Sequence, residues 1–284
     1  MTSLQLLAFG CGYVATAFAS RLAGRGVATL GTTRSAESQA LLAAQGITAI
    51  QWPAHTSGSG GATHPLEPQD GAAWLVSVPP GDQGCAVFRE FAGCAKGASW
   101  IGYLSTTGVY GDLGGRWAFE ETERAPLSRE AINRARAEDE WLSVGAHVFR
   151  LPGIYGPGRS QLERVREAGA RRIVKAGQVF SRAHRDDIAG VLDASLMQPR
   201  PGAIYNVCDD EPAPADEVLV FAAGLLGVEP PPAVTFENAG LSAAGQRFYA
   251  ECKRVSNAKA KAALGWLPKY PSYREGLRAC LAVT

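Results

Sequence analysis

A glycine turn near the N-terminus carries the clearest chemistry in this sequence. Gly10 and Gly12 follow a short apolar run, Leu4–Phe9, and precede a helical stretch, Tyr13–Leu22. Gly10 permits a tight turn, Gly12 lets the backbone approach a phosphate, and the small side chain of Ala15 allows close packing of helix and strand. Free N–H groups at the helix start would face the phosphates. The pattern G-x-G-x-x-A therefore predicts a dinucleotide site, and the alternative is an ordinary strand–turn–helix with glycine caps. The candidate cofactor contacts here are Gly10, Cys11, Gly12, Tyr13 and Val14.

The end of the second predicted strand, Val27–Leu30, discriminates between cofactors. An NAD site has an Asp or Glu near this point, which accepts hydrogen bonds from the ribose hydroxyls. The segment Gly31–Ser35 contains no carboxylate, and it offers Thr33 and Arg34 instead. Hydroxyls and a guanidinium suit a 2′-phosphate, so the segment predicts NADP(H) in preference to NAD(H). The alternative for Arg34 is a solvated residue that caps the next helix, Ala36–Gln45.

The elements that must position these residues alternate between strand and helix up to residue 104. They are strand Ile47–Trp52, strand Ala73–Val78, helix Gln83–Ala95 and strand Trp100–Leu104. This alternation predicts an α/β fold with a Rossmann-type doubly wound parallel sheet and the glycine turn at its switch point. The carboxyl end of the fourth strand borders the cofactor crevice of such a sheet. Val78 and Pro79 are therefore candidate cofactor contacts.

The second half of the chain departs from this regular alternation. We expect residues 1–152 to form the dinucleotide-binding domain, its sheet completed by segments near 178–210. Residues 153–284 would mainly form a smaller, interwoven substrate-side subdomain. Within it, Lys253–Val255 are expected to pair as a strand with residues near Ile173.

Charge and hydropathy exclude two classes of partner. The chain has 284 residues and a formal net charge of +1, which provides no basic surface for nucleic acid. No apolar run approaches the length that spans a bilayer. Because the first predicted strand begins at Leu4, no signal peptide is expected. These features predict a cytoplasmic protein with no nucleic-acid partner and no membrane partner.

Neither the cysteines nor the histidines suggest a metal site. The six cysteines show no CxxC spacing, and we interpret them as reduced, mostly buried thiols. His55 and His64 lie in a polar, Gly- and Pro-rich stretch over residues 53–70, which is typical of a surface loop. They have no cysteine or paired carboxylate neighbours, so no metal is predicted.

Four later segments resemble a known family. The segments are Tyr103–Asp112 (YLSTTGVYGD), Phe149–Arg159 (FRLPGIYGPGR), His184–Ala189 (HRDDIA) and Ala203–Val207 (AIYNV). With the glycine turn, they occur in the order found in extended short-chain dehydrogenases/reductases, the NAD-dependent epimerase/dehydratase group. These markers span residues 4 to 210, and Leu264–Trp266 followed by Tyr273–Leu277 extends the resemblance.

The resemblance implies three catalytic candidates, and one departure from the family pattern. Thr106 matches the Ser or Thr that orients the substrate, although such a hydroxyl at a strand end also bonds local backbone. The family's Tyr-x-x-x-Lys pair falls on the helix Leu127–Val144, which has neither residue. Aligned through Glu138, the two positions are Glu130 and Arg134. A carboxylate beside an arginine is a poor substitute for the phenol, and the i, i+4, i+8 spacing predicts a solvated, salt-bridged helix face. The chain thus resembles an atypical branch of the family.

The resemblance also implies contacts to nicotinamide and substrate. Pro152 would border the nicotinamide, and the substrate would be a small molecule such as a nucleotide-activated sugar. A basic cluster over residues 181–185 would accept an anionic group, or would be a surface cluster that pairs with Asp186 and Asp187. The substrate candidates are Tyr110, Tyr155, Arg182 and His184.

Two functions follow as expectations. One is an NADP(H)-dependent oxidoreductase or epimerase that acts on a nucleotide-sugar-like or carbonyl substrate without the usual Tyr–Lys pair. The other is a catalytically inactive NADP(H)-binding sensor or scaffold, which the missing pair favours. The family further suggests a homodimer through the helices Gln83–Ala95 and Leu127–Val144.

Overall fold

The computed structural model describes residues 4–52, 66 and 68–283. The predicted loop with His55 and His64 lies almost entirely outside these residues. The described chain divides into two compact units. The first contains the described residues up to Ser105, with Asn133–Phe149 and Ala189–Ile204, and the second contains Thr106–Ile132, Arg150–Ile188 and the described residues from Tyr205 onward.

Strands and short helices alternate along the described chain. The strands are β1 Gln5–Phe9, β2 Ala28–Thr33, β3 Thr48–Gln51, β4 Ala73–Val76, β5 Trp100–Thr106, β6 Trp117–Ala118, β7 His147–Leu151, β8 Gly153–Tyr155, β9 Arg172–Val174, β10 Arg182–His184, β11 Ile204–Asn206, β12 Ala233–Thr235 and β13 Arg254–Val255. The helices are α1 Tyr13–Ala23, α2 Ala36–Ala43, α3 Ala86–Phe91, α4 Arg129–Leu142, α5 Gln161–Arg166, α6 Arg185–Met197, α7 Ala215–Leu226, α8 Ala243–Phe248, α9 Ala258–Leu264 and α10 Tyr273–Ala282.

A seven-stranded sheet organises the first unit. Its order is β3-β2-β1-β4-β5-β7-β11. The β1–β2, β1–β4, β2–β3 and β4–β5 pairs are all parallel. Strand β1 lies where the strand order reverses, and Leu6–Phe9 are almost completely buried. The predicted α/β doubly wound Rossmann-type sheet is therefore confirmed, with the glycine turn at its switch point.

Packing of large aromatic side chains builds the core of the first unit. Phe9 packs edge-on against Trp74 with ring centroids 5.5 Å apart. Tyr103 stacks on Trp141 of α4 at 6.3 Å. These rings belong to one buried cluster that also contains residues of β7, so the sheet is covered on this side by apolar contacts that hold the strand ends in place.

One predicted helix is shorter than expected. The stretch Gln83–Ala95 was expected to be a single helix, but α3 covers only Ala86–Phe91 and a 3₁₀ helix follows over Ala92–Gly97. The cause at the N-terminal end is a tight turn closed by paired backbone bonds between Gly81 and Gly84. The positive φ of Gly84, 83°, is incompatible with a helix.

The second unit contains three two-stranded parallel sheets. They pair β8 with β10, β6 with β13 and β9 with β12. The expectation that Lys253–Val255 pair with residues near Ile173 is therefore wrong, since Arg254 pairs with Trp117 and Ile173 pairs with Val234. A strand of two residues is too short to show a hydrophobic periodicity from which its partner could be predicted. Tertiary packing therefore determines which strand β13 pairs with.

Candidate functional site

The glycine turn is held by the end of β2. Gly10 has a φ of 85°, and a Cβ there would lie 2.9 Å from Cγ2 of Val78. Its N–H donates to Oγ1 of Thr32 at 2.8 Å, and the Cys11 N–H donates to the Thr32 carbonyl at 2.8 Å. Gly10 is therefore required by both backbone conformation and space, and Thr32 fixes the turn relative to the sheet.

Gly12 leaves the start of α1 open. It is the N-cap residue of α1, and no side chain caps the helix. A Cβ at Gly12 would meet nothing within 4 Å. The N–H groups of the first helical turn thus border open space, which is the arrangement that binds phosphate oxygens.

This open space is a groove of about 870 Å³ in the first unit. Seven of the predicted cofactor contacts line it together, namely Gly10, Cys11, Gly12, Thr33, Arg34, Val78 and Pro79. The prediction did not include Thr32, Ser35, Ser38, Trp52 and Ser77, which line it too. Their position in the sequence could have indicated them, because several follow predicted strands and the carboxyl ends of neighbouring parallel strands meet at one edge of a sheet.

Three predicted cofactor contacts do not line this groove. Val14 is buried, and Tyr13 is partly buried in the first turn of α1. Pro152 lines a cavity in the second unit instead. Their roles in binding a cofactor stay predictions.

The basic end of the groove contains Arg34 and two serines. Arg34 is exposed, and its guanidinium has no hydrogen bond or ion pair within the part of the chain that the structure describes. The helix cap expected of it is supplied by the next residue, since the Ser35 hydroxyl accepts from the Ser38 N–H at 3.2 Å. Arg34 is therefore available to an anionic ligand.

Cys11 faces the groove as a thiol. Burial raises its pKa to about 11, so at neutral pH it is not a thiolate nucleophile. Gly31 must lack a side chain because a Cβ there would collide with the Cys11 sulfur. All six cysteines are free, but only Cys85, Cys208 and Cys280 are buried, which is fewer than expected.

The end of β5 and helix α4 carry a buried polar cluster. The Ser105 hydroxyl donates to Oε1 of Glu138 at 2.6 Å, and Glu138 is completely buried. Nη1 of Arg134 donates to the Leu104 carbonyl at 2.5 Å. The expectation of a solvated helix face is therefore wrong for Glu138 and Arg134, which connect α4 to β5. Glu130 is the exposed member of the series.

Thr106 and Glu130 line a cavity of about 420 Å³ in the second unit. Oγ1 of Thr106 accepts the Gly108 N–H at 3.1 Å, which is the local backbone bond expected as its alternative role. Lys253 lines the same cavity, and its buried Nζ donates to the Gly111 carbonyl at 2.7 Å and pairs with Glu251. This lysine was not predicted, since nothing near it in sequence marks a site.

Tyr155 and Arg182 line a second cavity of this unit, of about 530 Å³. His184 does not line this cavity; it is 1% exposed, with Nε2 3.7 Å from the Cys280 sulfur. Burial lowers the pKa of His184 to about 4, so its imidazole is neutral at pH 7. Tyr110 is fully buried, donating to Oδ1 of Asn206 at 2.7 Å and accepting from Arg150 at 2.9 Å. The substrate candidates are therefore not all brought together.

The described residues contain neither a metal-binding cluster nor a membrane-spanning helix. No group of three or more His, Cys, Asp or Glu side chains in these residues is arranged to hold a metal ion. Among the same residues, no helix combines the length and the apolar character needed to cross a bilayer.

Comparison with solved structures gives a full-length relative. A functionally unknown conserved protein from Silicibacter pomeroyi DSS is 43% identical, with a TM-score of 0.91, and the match covers 100% of this chain and 99% of that one. A putative NAD-dependent epimerase/dehydratase from Methylobacillus flagellatus has 22% identity and a TM-score of 0.68, covering 98% of each chain. A dTDP-glucose 4,6-dehydratase from Bacillus anthracis, solved with NAD, has 16% identity and a TM-score of 0.75, covering 98% of this chain and 96% of that one. These likenesses confirm the fold.

Curated relatives match only in part, and no family model matches the chain. A 3-diazoavenalumate denitrifying reductase from a Streptomyces species is 33% identical over 177 aligned residues, and the match covers 55% of this chain and 57% of the reductase. Protein YeeZ of Escherichia coli K12 is 30% identical over 133 residues, 45% of this chain and 47% of YeeZ. The chain thus spans about half the length of the curated relatives it matches.

Proposed function

Since this chain belongs to the family of the conserved Silicibacter pomeroyi protein and has the fold of extended short-chain dehydrogenases/reductases, we propose that it is a nicotinamide-dinucleotide-dependent oxidoreductase. NADP(H) would bind in the groove of the first unit. The substrate would be a small molecule that is reduced or oxidised at a carbonyl or alcohol carbon.

The observation that carries this proposal is the contrast between the two glycines of the turn. Gly10 tolerates no side chain because of its φ and the nearby Val78, whereas Gly12 has free space beyond its Cα. Packing of this chain therefore does not explain Gly12, but a ligand that approaches the backbone does. The residues present thus fit a pyrophosphate on the first turn of α1, and the groove of about 870 Å³ has room for a bound nucleotide.

A preference for NADP(H) is supported by the end of β2. The groove walls here contain Thr33, Arg34, Ser35 and Ser38, with no Asp or Glu among the described residues that line it. Arg34 would pair with a 2′-phosphate, and the hydroxyls would add neutral hydrogen bonds. The NAD in the complexes of the fold relatives is a property of those proteins, so a titration with both nucleotides must decide the cofactor of this chain.

The chemistry proposed differs from that of the Tyr–Lys pair. When bound, the nicotinamide supplies or accepts a hydride. Helix α4 has no tyrosine and no lysine, and Arg134 is bonded to the backbone of β5. Thr106 and Glu130, which share a cavity with Lys253, are the groups we propose for orienting substrate and moving its proton. The name of the partial Streptomyces relative, a reductase, supports reduction.

A second candidate function is an inactive NADP(H)-binding sensor or scaffold, which the absence of the Tyr–Lys pair from α4 favours. Both candidates require dinucleotide binding. They differ in turnover, because only an enzyme consumes NADPH in the presence of a carbonyl substrate.

The test is a titration of purified protein with NADPH and NADH, followed by NADPH consumption with nucleotide sugars and small carbonyl compounds. Micromolar NADPH binding and turnover that Thr106→Ala abolishes would support the enzyme. Binding without turnover would support the sensor. If neither nucleotide binds, both functions fail.

Four finer points belong to the same proposal. The substrate class is a nucleotide-activated sugar or another carbonyl compound, the protein acts in the cytoplasm, and it assembles as a homodimer. The two-domain organisation is proposed as a dinucleotide-binding part and a substrate-side part. Light scattering on the purified protein measures the assembly state, and a monomer would remove the dimer from the proposal.

A further inference from the structure

The larger apolar cavity of the second unit has the size of a small-molecule site. Its volume is about 530 Å³, and sites for such ligands span about 300–1,000 Å³. It lies among β8, β9, β10, α5, α7 and α8. It adjoins the cavity of Thr106, with which it shares Gly153, Phe180, Ser181 and Phe248. A ligand held here would therefore extend toward Thr106 and Glu130.

The charged side chains that line this cavity favour an anionic ligand. Among the described residues that line the cavity, four are arginines and none is Asp or Glu. Three of the arginines, Arg159, Arg164 and Arg171, are exposed at the surface, whereas Arg182 is only 5% exposed. The inner part of the cavity therefore offers one guanidinium.

The guanidinium of Arg182 uses only part of its hydrogen-bond donors within the described chain. Its Nη1 donates to the carbonyls of Phe180 at 2.8 Å and Ala213 at 2.9 Å. Its Nε and Nη2 have no hydrogen-bond partner among the described residues. Burial lowers the pKa of this guanidinium, while the charge of Asp209 opposes that shift. An Nε–Nη2 edge matches the two oxygens of one carboxylate, and a bound carboxylate would further favour the charged form.

Gln161 lines the same cavity, and its side chain carries an unpaired acceptor. Its Oε1 is buried and has no hydrogen-bond partner in the described part of the chain. A buried amide oxygen without a donor is unfavourable. A hydroxyl on the ligand would supply that donor.

Aromatic rings form one wall. Phe180 and Phe248 stack with centroids 4.4 Å apart and planes 14° apart, and Tyr249 meets Phe180 edge-on at 5.5 Å. Phe248 is 55% exposed although it borders this cavity. A flat apolar ring would cover it with the stacking geometry that aromatic pairs favour.

From these features we infer that the cavity binds a hydroxylated aromatic carboxylate, with its carboxylate at Arg182, its hydroxyl near Gln161 and its ring against Phe248. The single inner guanidinium and the apolar walls suit one carboxylate better than the diphosphate of a nucleotide sugar. Calling this ligand the substrate rests on the proposed function and on a carbonyl or alcohol carbon elsewhere in the ligand, whereas its binding rests on neither.

The experiment is calorimetry on the full chain without nucleotide. The probes are para-hydroxyphenylpropionate, its neutral amide, phenylpropionate, cyclohexylpropionate and UDP-glucose. We expect the hydroxylated acid to bind most tightly, with its amide weaker by about tenfold or more because it lacks the charge. Equal binding of acid and amide, or tighter binding of UDP-glucose than of the acid, would overturn the inference.

Two variants keep the test independent of folding. Phe248→Ala should weaken binding of the aromatic acid by about fivefold or more and leave cyclohexylpropionate much less affected. Phe119→Ala is the matched control, since Phe119 is 49% exposed and does not line the cavity. Gln161→Leu should abolish the advantage of the hydroxylated acid over phenylpropionate. Parallel losses in Phe248→Ala and Phe119→Ala would overturn the assignment.

A titration with NADPH separates this inference from the proposed function. Phe248→Ala should retain wild-type affinity for NADPH, because the groove is lined by other residues. Binding of the aromatic acid without any binding of NADPH or NADH would refute the proposed function and leave the cavity assignment intact.

Discussion

Gly12→Ala separates a ligand requirement from a folding requirement. Gly12 has φ −84° and ψ −170°, which any residue adopts, and an added Cβ meets nothing within 4 Å. Alanine is a poorer N-cap than glycine by less than about 1 kcal/mol, and it reduces the entropy of the unfolded chain by a similar amount, about 0.4–1 kcal/mol. The free energy of unfolding should therefore change by less than about 1 kcal/mol.

Dinucleotide binding should respond much more strongly. The new methyl group stands where a pyrophosphate would approach the first turn of α1. Loss of one hydrogen bond between an N–H and a charged oxygen costs about 1.5–3 kcal/mol, which corresponds to an affinity about ten- to 100-fold weaker. Gly10→Ala offers a contrast, because its φ of 85° and the 2.9 Å approach to Val78 predict a loss of stability as well.

The assay combines NADPH titration with urea unfolding. The matched control is Gly93→Ala, since a Cβ at Gly93 also meets nothing within 4 Å and Gly93 lies outside the groove. Wild-type NADPH affinity in Gly12→Ala would refute the placement of the pyrophosphate. A similar loss of affinity in Gly93→Ala would show that the effect is not specific to the groove.

Three further outcomes are expected. Arg34→Gln should weaken NADPH binding about tenfold, because one charged hydrogen bond is lost, and should leave NADH binding unchanged. The control is Arg200→Gln, since Arg200 is also exposed. Equal effects on the binding of both nucleotides would contradict the 2′-phosphate role. Ser105→Ala should lower the free energy of unfolding by about 1–3 kcal/mol in urea, because it removes a buried donor to Glu138, and an unchanged midpoint would be inconsistent with this bond. His147 accepts the Arg200 N–H at Nε2, 2.7 Å, and burial lowers its pKa. Its contribution to stability is complete above about pH 6.5, the unfolded value, and is lost as the pH falls. The stability difference between wild type and His147→Gln should therefore shrink from pH 7.5 to pH 5, and a constant difference would oppose this account.

Local patterns predicted the parts of this protein that depend on neighbouring residues in the chain. The uncharged run before Gly10, the glycine turn and the small residues of α1 indicated a parallel Rossmann-type sheet, and the structure confirms it. The residues after β2 likewise indicated the groove wall, where Thr33 and Arg34 lie. These features follow from backbone sterics and hydrophobic periodicity, which act over a few residues.

Tertiary packing decided the remainder. The spacing of Glu130, Arg134 and Glu138 is identical for a solvated helix face and for one that packs on a sheet, and only the position of α4 against β5 buries Glu138. The partner of β13, the role of Thr32 and the gathering of Gln161, Arg182 and Phe248 around one cavity join residues far apart in sequence. Such contacts depend on where whole elements come together, because burial and hydrogen-bond satisfaction are properties of the folded chain rather than of any single segment.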